Sequence, residues 1–376
     1  MNVLTSPAKY VFLRYSLLSV LGMLAISSAG IVDGYFIGNY VGSKGLAAIN
    51  ITMPLFSLLF GIALAFGIGG SVMSGKKLAT GNKAQASVIF TKTILTIALI
   101  SLFFSGTLFL YMPFILKKMG ANQTLLPYAI SYLGTMILFF PFLMVGIVLD
   151  YFARADSRPG LAFAGLAISA GVNIVLDWYF VAKLGWGLKG AAFATGISFV
   201  SLVITVLPHF LKKKGNLRFT TYWKHSQSVA RVAINGVSEF INESSIGITT
   251  LLFNLAMLRY FDTEGVAAFS VITYWLWIGQ MGMFGICDAL GPLISKNYGA
   301  KQFLRVKKFL KLGISSVIGI GFFMIVFLLL TPEPLATLFL KEDSAEALEI
   351  ALSFGLFIWP VLLFNDTNLV ISAYFT

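Results

Sequence analysis

The chain has 376 residues, of which 58% are hydrophobic and only 11% are charged. Because a soluble globular protein carries about 25% charged residues, this composition argues against a water-soluble fold. The single cysteine, Cys287, excludes a framework of disulfides within the chain. The net charge of +12 could indicate a nucleic-acid partner, and the distribution of the basic residues decides that question.

Apolar runs long enough to cross a bilayer follow one another along the chain. A transmembrane helix needs about 20 predominantly apolar residues, and these runs lack the alternating pattern of a membrane β-barrel. The first run, after Arg14, is too long for a cleavable signal peptide. The sequence therefore predicts an all-α polytopic membrane protein with ten spans, at about residues 10–38, 45–74, 84–115, 123–153, 159–182, 187–211, 229–260, 265–295, 304–331 and 344–376.

The basic residues are concentrated on alternate connections between these spans. With the N-terminus in the cytoplasm, 20 Lys and Arg residues lie on cytoplasmic segments and 7 on the opposite side, which accounts for all 27. This asymmetry is the one that the positive-inside rule describes. The basic charge therefore indicates membrane orientation, and we expect no nucleic-acid partner. We expect a multi-pass protein of the cell inner (plasma) membrane with a cytoplasmic N-terminus.

The second and eighth predicted spans resemble each other. Residues Gly45 to Ile68 (GLAAINITMPLFSLLFGIALAFGI) resemble Gly265 to Ile286 (GVAAFSVITYWLWIGQMGMFGI) at an offset of about 220 residues, which is 220 at the first residue. Because six helices separate the equivalents, both halves would enter the membrane in the same direction, as a parallel repeat. The predicted organisation is an N-lobe of six transmembrane helices (1–211), a cytoplasmic inter-lobe loop (212–228) and a C-lobe of four (229–376). Because the predicted C-lobe has two helices fewer than the N-lobe, we expect a chain truncated after the tenth of twelve helices.

Five carboxylates lie well inside the predicted spans: Asp33, Asp177, Glu239, Glu243 and Asp366. An ionised side chain at the bilayer centre costs about 2.5–3.5 kcal/mol on insertion scales, so these groups must be neutral, paired or in contact with water. No Lys or Arg lies at the centre of any predicted span. If these carboxylates line a cavity, they could exchange protons, or they could bind a cation together with neutral oxygen atoms.

The first-half carboxylates have polar neighbours at helical spacing. Asn173 and Asp177 are four residues apart and therefore share a face of the fifth helix. Thr195 lies at mid-depth in the sixth helix, and Asp33 lies on a glycine-rich face of the first, which favours close helix packing. We expect Asp33, Asn173, Asp177 and Thr195 to converge on one polar pocket. The alternative is that each satisfies a neighbour and only fixes packing.

The second half carries a similar acidic group. Glu239 and Glu243 are four residues apart in the seventh helix, and Asp366 follows Pro360 in the tenth. A proline inside a span frees a backbone carbonyl and can kink the helix towards a cavity. These three carboxylates predict a second polar cluster, with a packing role as the alternative. The aromatic residues of the second-half spans would suit lipophilic cations, or would lie at the lipid interface.

Several segments together resemble the MATE family of multidrug and toxic compound extrusion transporters. The residues around Glu239 and Glu243 are most similar to bacterial drug-resistance members. Three passages carry the resemblance: Asn173 to Asp177 with Gly185 to Thr195 for the fifth and sixth helices, Val32 to Gly38 with Gly45-Leu-Ala-Ala for the first and second, and Phe253-Asn254 with Pro292 to Gly299 for the second half.

The resemblance implies twelve helices in two six-helix lobes, and drug efflux driven by inward H⁺ or Na⁺. It implies an N-lobe proton or cation site formed by Asp33, Asn173, Asp177 and Thr195. If the coupling ion is Na⁺, these four residues would be its ligands. It also suggests a C-lobe acidic site at Glu239 and Asp366. We expect a monomer that exports cationic, amphipathic drugs, with no cofactor besides the coupling ion.

Two other functions were compared with antiport. A lipid-linked saccharide flippase shares the wider superfamily architecture, but its pyrophosphate substrate calls for Arg or Lys inside the cavity. An enzyme is disfavoured because the only histidines, His209 and His225, lie near or in the inter-lobe loop, and no HExxH or P-loop motif occurs. The sequence therefore favours cation-coupled drug antiport and predicts no enzyme.

Overall fold

The computed structural model describes residues 5–371, except for 157, 213–214, 222–228, 341–344, 356, 362–363, 365–366 and 369. Within these residues all regular structure is helical, and eight helical segments are long and apolar enough to cross a membrane. The predicted all-α membrane fold is therefore confirmed.

The first half forms the six predicted spans. A 3₁₀ turn, Ile137–Phe139, joins α4 to α5 within the fourth span, and a π-helix, Trp178–Lys183, extends α6 within the fifth. The α-helices are α1 (Ala8–Tyr40), α2 (Ser43–Ala79), α3 (Lys83–Lys118), α4 (Leu126–Met136), α5 (Phe140–Ala155), α6 (Pro159–Asp177) and α7 (Gly187–Leu211).

Local chemistry explains the tight connection between α2 and α3. Gly81 has a φ of 77°, a conformation that glycine adopts without steric cost. The side chain of Asn82 then caps α3 by accepting a hydrogen bond from the Gln85 backbone N–H. Lys76 and Lys77 lie in the last turn of α2, where positive charge is favourable beside the C-terminal carbonyls.

The second half contains α8 (Val229–Asn235), α9 (Val237–Gly299), α10 (Phe303–Leu330), α11 (Pro332–Thr337) and α12 (Ala345–Gly355). A straight helix of the 63 residues of α9 would be about 95 Å long, far more than a bilayer core. The helix is interrupted at Asp262, with φ 50° and ψ −145°. A Cβ placed on Gly265 would lie 3.0 Å from the Met257 carbonyl oxygen, so the chain turns sharply there. The turn separates the predicted seventh and eighth spans.

The chain divides into two compact units, Phe36–Ala267 and a second made of Met1–Tyr35 with Ala268–Thr376. Each unit combines helices from both halves of the sequence. The two lobes were predicted from the internal repeat and do not coincide with these units, so the lobes stay a prediction.

In the unit that contains the N-terminus, α1 packs on the part of α9 after residue 268. A Cβ on Gly30 would lie 3.3 Å from the Trp277 ring, and one on Gly34 would lie 2.6 Å from the Tyr274 ring. The glycine-rich face of α1 therefore accommodates aromatic rings of α9. This agrees with the close packing that its small residues predicted. A buried apolar cluster that includes Phe12, Leu290 and Phe309 completes this core.

Candidate functional site

A polar ladder joins α6 to α7 in the Phe36–Ala267 unit. The Asn173 side-chain amide donates a hydrogen bond to the Thr195 hydroxyl at 3.3 Å. One turn away, the Ser169 hydroxyl donates to the Ser198 backbone carbonyl at 2.8 Å. Asn173 is buried, whereas Thr195 is half-buried. The structure thus brings together two of the residues that the sequence assigned to one site.

Asp177 lies one turn beyond Asn173, at the end of α6. It is 0% exposed. The π-helix Trp178–Lys183 begins at the next residue. Such π-helical turns are rare in proteins, and those that occur are often found at functional sites. A fully buried carboxylate is costly unless it is protonated, paired or bound to a cation. The burial of Asp177 therefore suits a group that binds a proton or a metal cation.

The fourth member of the predicted N-lobe site is on α1. Asp33 is half-buried and lies beside Gly34, in the unit that contains the N-terminus. Asn173, Asp177 and Thr195 belong to the other unit. The convergence of Asp33 with these three residues stays a prediction.

Two of the three second-half carboxylates lie close together on α9. Glu243 is half-buried and accepts a hydrogen bond from the Ser57 hydroxyl of α2. Glu239, one turn earlier, is close enough for its charge to act on Glu243. Asp366 lies outside the described residues, so its grouping with these two stays a prediction. The position of Glu243 against α2 was not expected from the sequence.

Sequence reasoning also missed a buried carboxylate at Asp156, which follows α5. Asp156 is 3% exposed. Its carboxylate accepts hydrogen bonds from the backbone N–H groups of Asn216 at 2.9 Å and Leu217 at 3.3 Å, and it lies 2.8 Å from the His209 Nε2 atom. These partners are 53 to 61 residues away in the chain, so no local pattern indicated them.

The segment that follows Asn216 and Leu217, the backbone partners of Asp156, continues along α3. The Thr220 backbone N–H donates to the Thr91 hydroxyl at 3.1 Å, and the Phe219 ring lies 4.9 Å from the Phe90 ring. Asp156 and α3 together fix the start of the inter-lobe loop to the helices of the first half.

These observations first define a class of protein, a polytopic α-helical membrane protein with a polar site buried between its helices. The MatE family model matches residues 19–179 and 239–376, which is most of the chain. The chain therefore belongs to the MatE family of membrane transporters. The matched ranges include Asp33, Asn173, Asp177, Glu239 and Glu243.

Known proteins agree with this assignment. The multidrug export protein MepA of Staphylococcus aureus (strain MSSA476) is 26% identical over 321 residues, which cover 83% of this chain and 69% of MepA. The structure is also similar to an outward-facing multidrug resistance MATE transporter of the MOP superfamily, with a TM-score of 0.85, 20% identity, and coverage of 99% of this chain and 83% of that one. An inward-facing structure of such a transporter gives a TM-score of 0.81 at 20% identity, with coverage of 95% and 84%. At this identity the structural likeness shows the fold alone.

Proposed function

We propose that this chain is a secondary active exporter that exchanges cationic, amphipathic drugs for H⁺ or Na⁺ by alternating access. The observation that carries the proposal is the complete burial of Asp177 beside the Asn173–Thr195 hydrogen bond. Membership of the family and the likeness to MepA, a multidrug export protein, support the choice of substrate class.

Asp177 is the proposed coupling group because burial of its negative charge is costly, and a bound ion that neutralises the charge lowers that cost. Without an ion, the buried carboxylate favours a conformation that gives it access to water. With a proton or a cation bound, the neutralised site can be closed off at lower cost. Ion binding therefore shifts the population between two conformations, which is what coupling requires.

The residues around Asp177 fit either coupling ion. A proton needs only the carboxylate. A sodium ion is a hard cation that prefers oxygen ligands, and three such donors are available from the Asp177 carboxylate, the Asn173 side-chain carbonyl and the Thr195 hydroxyl. In the proposed site Asp33 supplies a further carboxylate oxygen. The coupling ion is a substrate of the exchange, and no other cofactor is proposed.

The second-half carboxylates are the proposed contacts for drug cations. Glu239 and Glu243 place two acidic groups on one face of α9, and Asp366 is proposed as a third. An acidic site attracts cationic drugs and repels anionic ones. We place the chain in the plasma membrane as a monomer, with its N-terminus in the cytoplasm.

Expression in bacterial cells that lack their own multidrug pumps tests this proposal. Cells that carry the chain are expected to accumulate less of a cationic dye such as ethidium than cells with an empty vector. A protonophore or the removal of Na⁺ should abolish the difference, because the efflux depends on an ion gradient. Equal accumulation in the two strains, with the protein present in the membrane, would contradict the proposal.

A further inference from the structure

One face of α2 packs against α8 and the first part of α9 over a distance as large as the thickness of a bilayer. The contacts run from Ser43 with Glu264 at one end to Gly69 with Val232 at the other. The 26 residues between Ser43 and Gly69 correspond to about 39 Å of helix, more than the hydrocarbon core of about 30 Å. We call this contact the α2–α9 seam. Its α2 side includes Ser43, Asn50, Pro54, Ser57, Gly61, Ala65 and Gly69, most of which are small or polar.

The two ends of the α2–α9 seam differ in chemistry. Towards the end of α2, glycines bring the backbones into direct contact. A Cβ on Gly236 would clash with the Ala65 carbonyl, and one on Gly69 would clash with the Val232 carbonyl. Towards the start of α2, at Ser43 and Asn50, the contacts include hydrogen bonds made by side chains. On the proposed orientation this polar end faces the outside of the cell.

Asn50 and Asn254 form the most buried polar contact of the seam. The Asn50 side-chain amide donates to the Asn254 side-chain oxygen at 3.1 Å. The Asn254 amide in turn donates to the Asn50 backbone carbonyl at 3.1 Å. Asn50 is 4% exposed and Asn254 is 0% exposed. Each amide therefore depends on the other helix for its hydrogen bonds.

This dependence makes the pair sensitive to what enters the seam when it opens. If water entered, both amides would be hydrated and the loss of their mutual hydrogen bonds would be compensated. If lipid chains entered, the amides would remain without partners, which is costly in a membrane. The Asn50–Asn254 pair therefore permits separation towards water and resists separation into lipid.

The internal repeat provides a comparison within the chain. At the offset of 220 residues, Asn254 corresponds to Gly34 of α1. Gly34 packs under the Tyr274 ring, a contact without an amide pair. The same position in the two repeats therefore carries a glycine–aromatic contact in one case and a reciprocal amide contact in the other. Packing alone does not require the amides, which points to a specific role for them.

We propose that Asn50 and Asn254 are positioning residues of the transport cycle, which hold the polar end of the α2–α9 seam closed and separate once in each cycle. The inference rests on the proposed transport function, because alternating access moves one repeat against the other. The seam joins α2 of the first repeat to the first part of α9 of the second, so we expect such a movement to open it.

Reversible cross-linking tests this proposal. In a Cys287→Ala background, which removes the only cysteine, Asn50→Cys and Asn254→Cys are combined and treated with a reducible bis-methanethiosulfonate cross-linker in proteoliposomes. We expect a cross-link between the two positions, detected by mass spectrometry. Dye transport should become at least about tenfold slower than in the same variant before cross-linking, a rise of roughly 1.4 kcal/mol in the barrier. Reduction of the cross-link should return transport to the level of the same double variant before cross-linking.

A matched control cross-links two positions within the first repeat. The Ser105 hydroxyl of α3 donates to the Ile137 backbone carbonyl at 3.1 Å. The Ser105→Cys, Ile137→Cys pair should cross-link with no loss of transport beyond that of its uncross-linked form. Unimpaired transport by the cross-linked Asn50–Asn254 pair would overturn the proposal. Failure of that pair to cross-link would also overturn it, because the contact itself would be absent.

A second set of variants does not depend on cysteine chemistry. Asn50→Leu and Asn254→Leu should each reduce dye transport, and the double variant should be no worse than the more impaired single one, because both remove the same contact. Full transport by both single variants would contradict the proposal. If the unmodified chain transports no dye under any gradient, the proposed function fails instead. In that case labelling of Asn254→Cys by a membrane-impermeant maleimide still decides the inference: reaction supports an opening seam, and complete protection opposes it.

Discussion

Replacement of Asp177 by asparagine is expected to reduce ion-driven dye efflux to the level of vesicles without protein. Asparagine has nearly the same shape, but it can neither bind a proton at neutral pH nor bring a negative charge to a cation. Asp177 is completely buried, so efflux is scored only where the variant is present in the membrane at the level of the unmodified protein. A loss of transport in this variant therefore reports on coupling.

The measurement compares variants at equal protein content in the membrane. Glu333→Gln is the matched control, because Glu333 is an exposed carboxylate of α11 and the change from carboxylate to amide there should leave efflux unchanged. Asp33→Asn is expected to behave as Asp177→Asn does, since Asp33 is proposed for the same site. Full efflux by the Asp177→Asn variant would refute the coupling role of that residue.

Replacement of Asp156 by alanine is expected to destabilise the protein by about 3–5 kcal/mol, the usual range for removing one partner of a buried charged network. The substitution leaves the Asn216 and Leu217 N–H groups and the His209 ring without their acceptor. Unsatisfied buried donors carry the full cost of their lost hydration. The smaller change Asp156→Asn keeps one acceptor oxygen and should cost less.

Thermal unfolding of the purified protein in detergent measures this effect. The midpoint should fall clearly for Asp156→Ala, by less for Asp156→Asn, and not at all for Glu346→Ala, which removes an exposed carboxylate of α12. If Asp156→Ala unfolds at the same temperature as the unmodified protein, the carboxylate does not hold the loop in the way that its hydrogen bonds indicate.

The helices of this fold could be predicted from the sequence because a bilayer imposes a local rule. Each span must satisfy its own backbone and bury about 20 apolar side chains in lipid, so composition along a short window is sufficient. The pairing of Asn173 with Asp177 on one face followed from helical periodicity in the same way. The reversal at Asp262 agreed with the predicted gap between the seventh and eighth spans, although no glycine or proline occupies that position.

Contacts between distant segments could not be predicted by such a rule. Asn50 and Asn254 are 204 residues apart, so nothing near either asparagine in the sequence indicated that the two would pair. Nothing near Glu243 in the sequence indicated that Ser57 would be its partner. In both cases the tertiary packing of α2 on α9 creates the site. A comparison of the two repeats would have drawn attention to Asn254, since its counterpart is Gly34.

Export of a drug is proposed to be coupled to entry of an ion, and proteoliposomes with imposed gradients test this coupling most directly. The purified protein is incorporated with a cationic dye inside, and H⁺ and Na⁺ gradients directed inward are applied separately. We predict dye release that is accelerated by at least one of these gradients, is accompanied by entry of the same ion, and is absent in Asp177→Asn. Dye release at the same rate with and without either gradient, with no ion entry, would contradict the account.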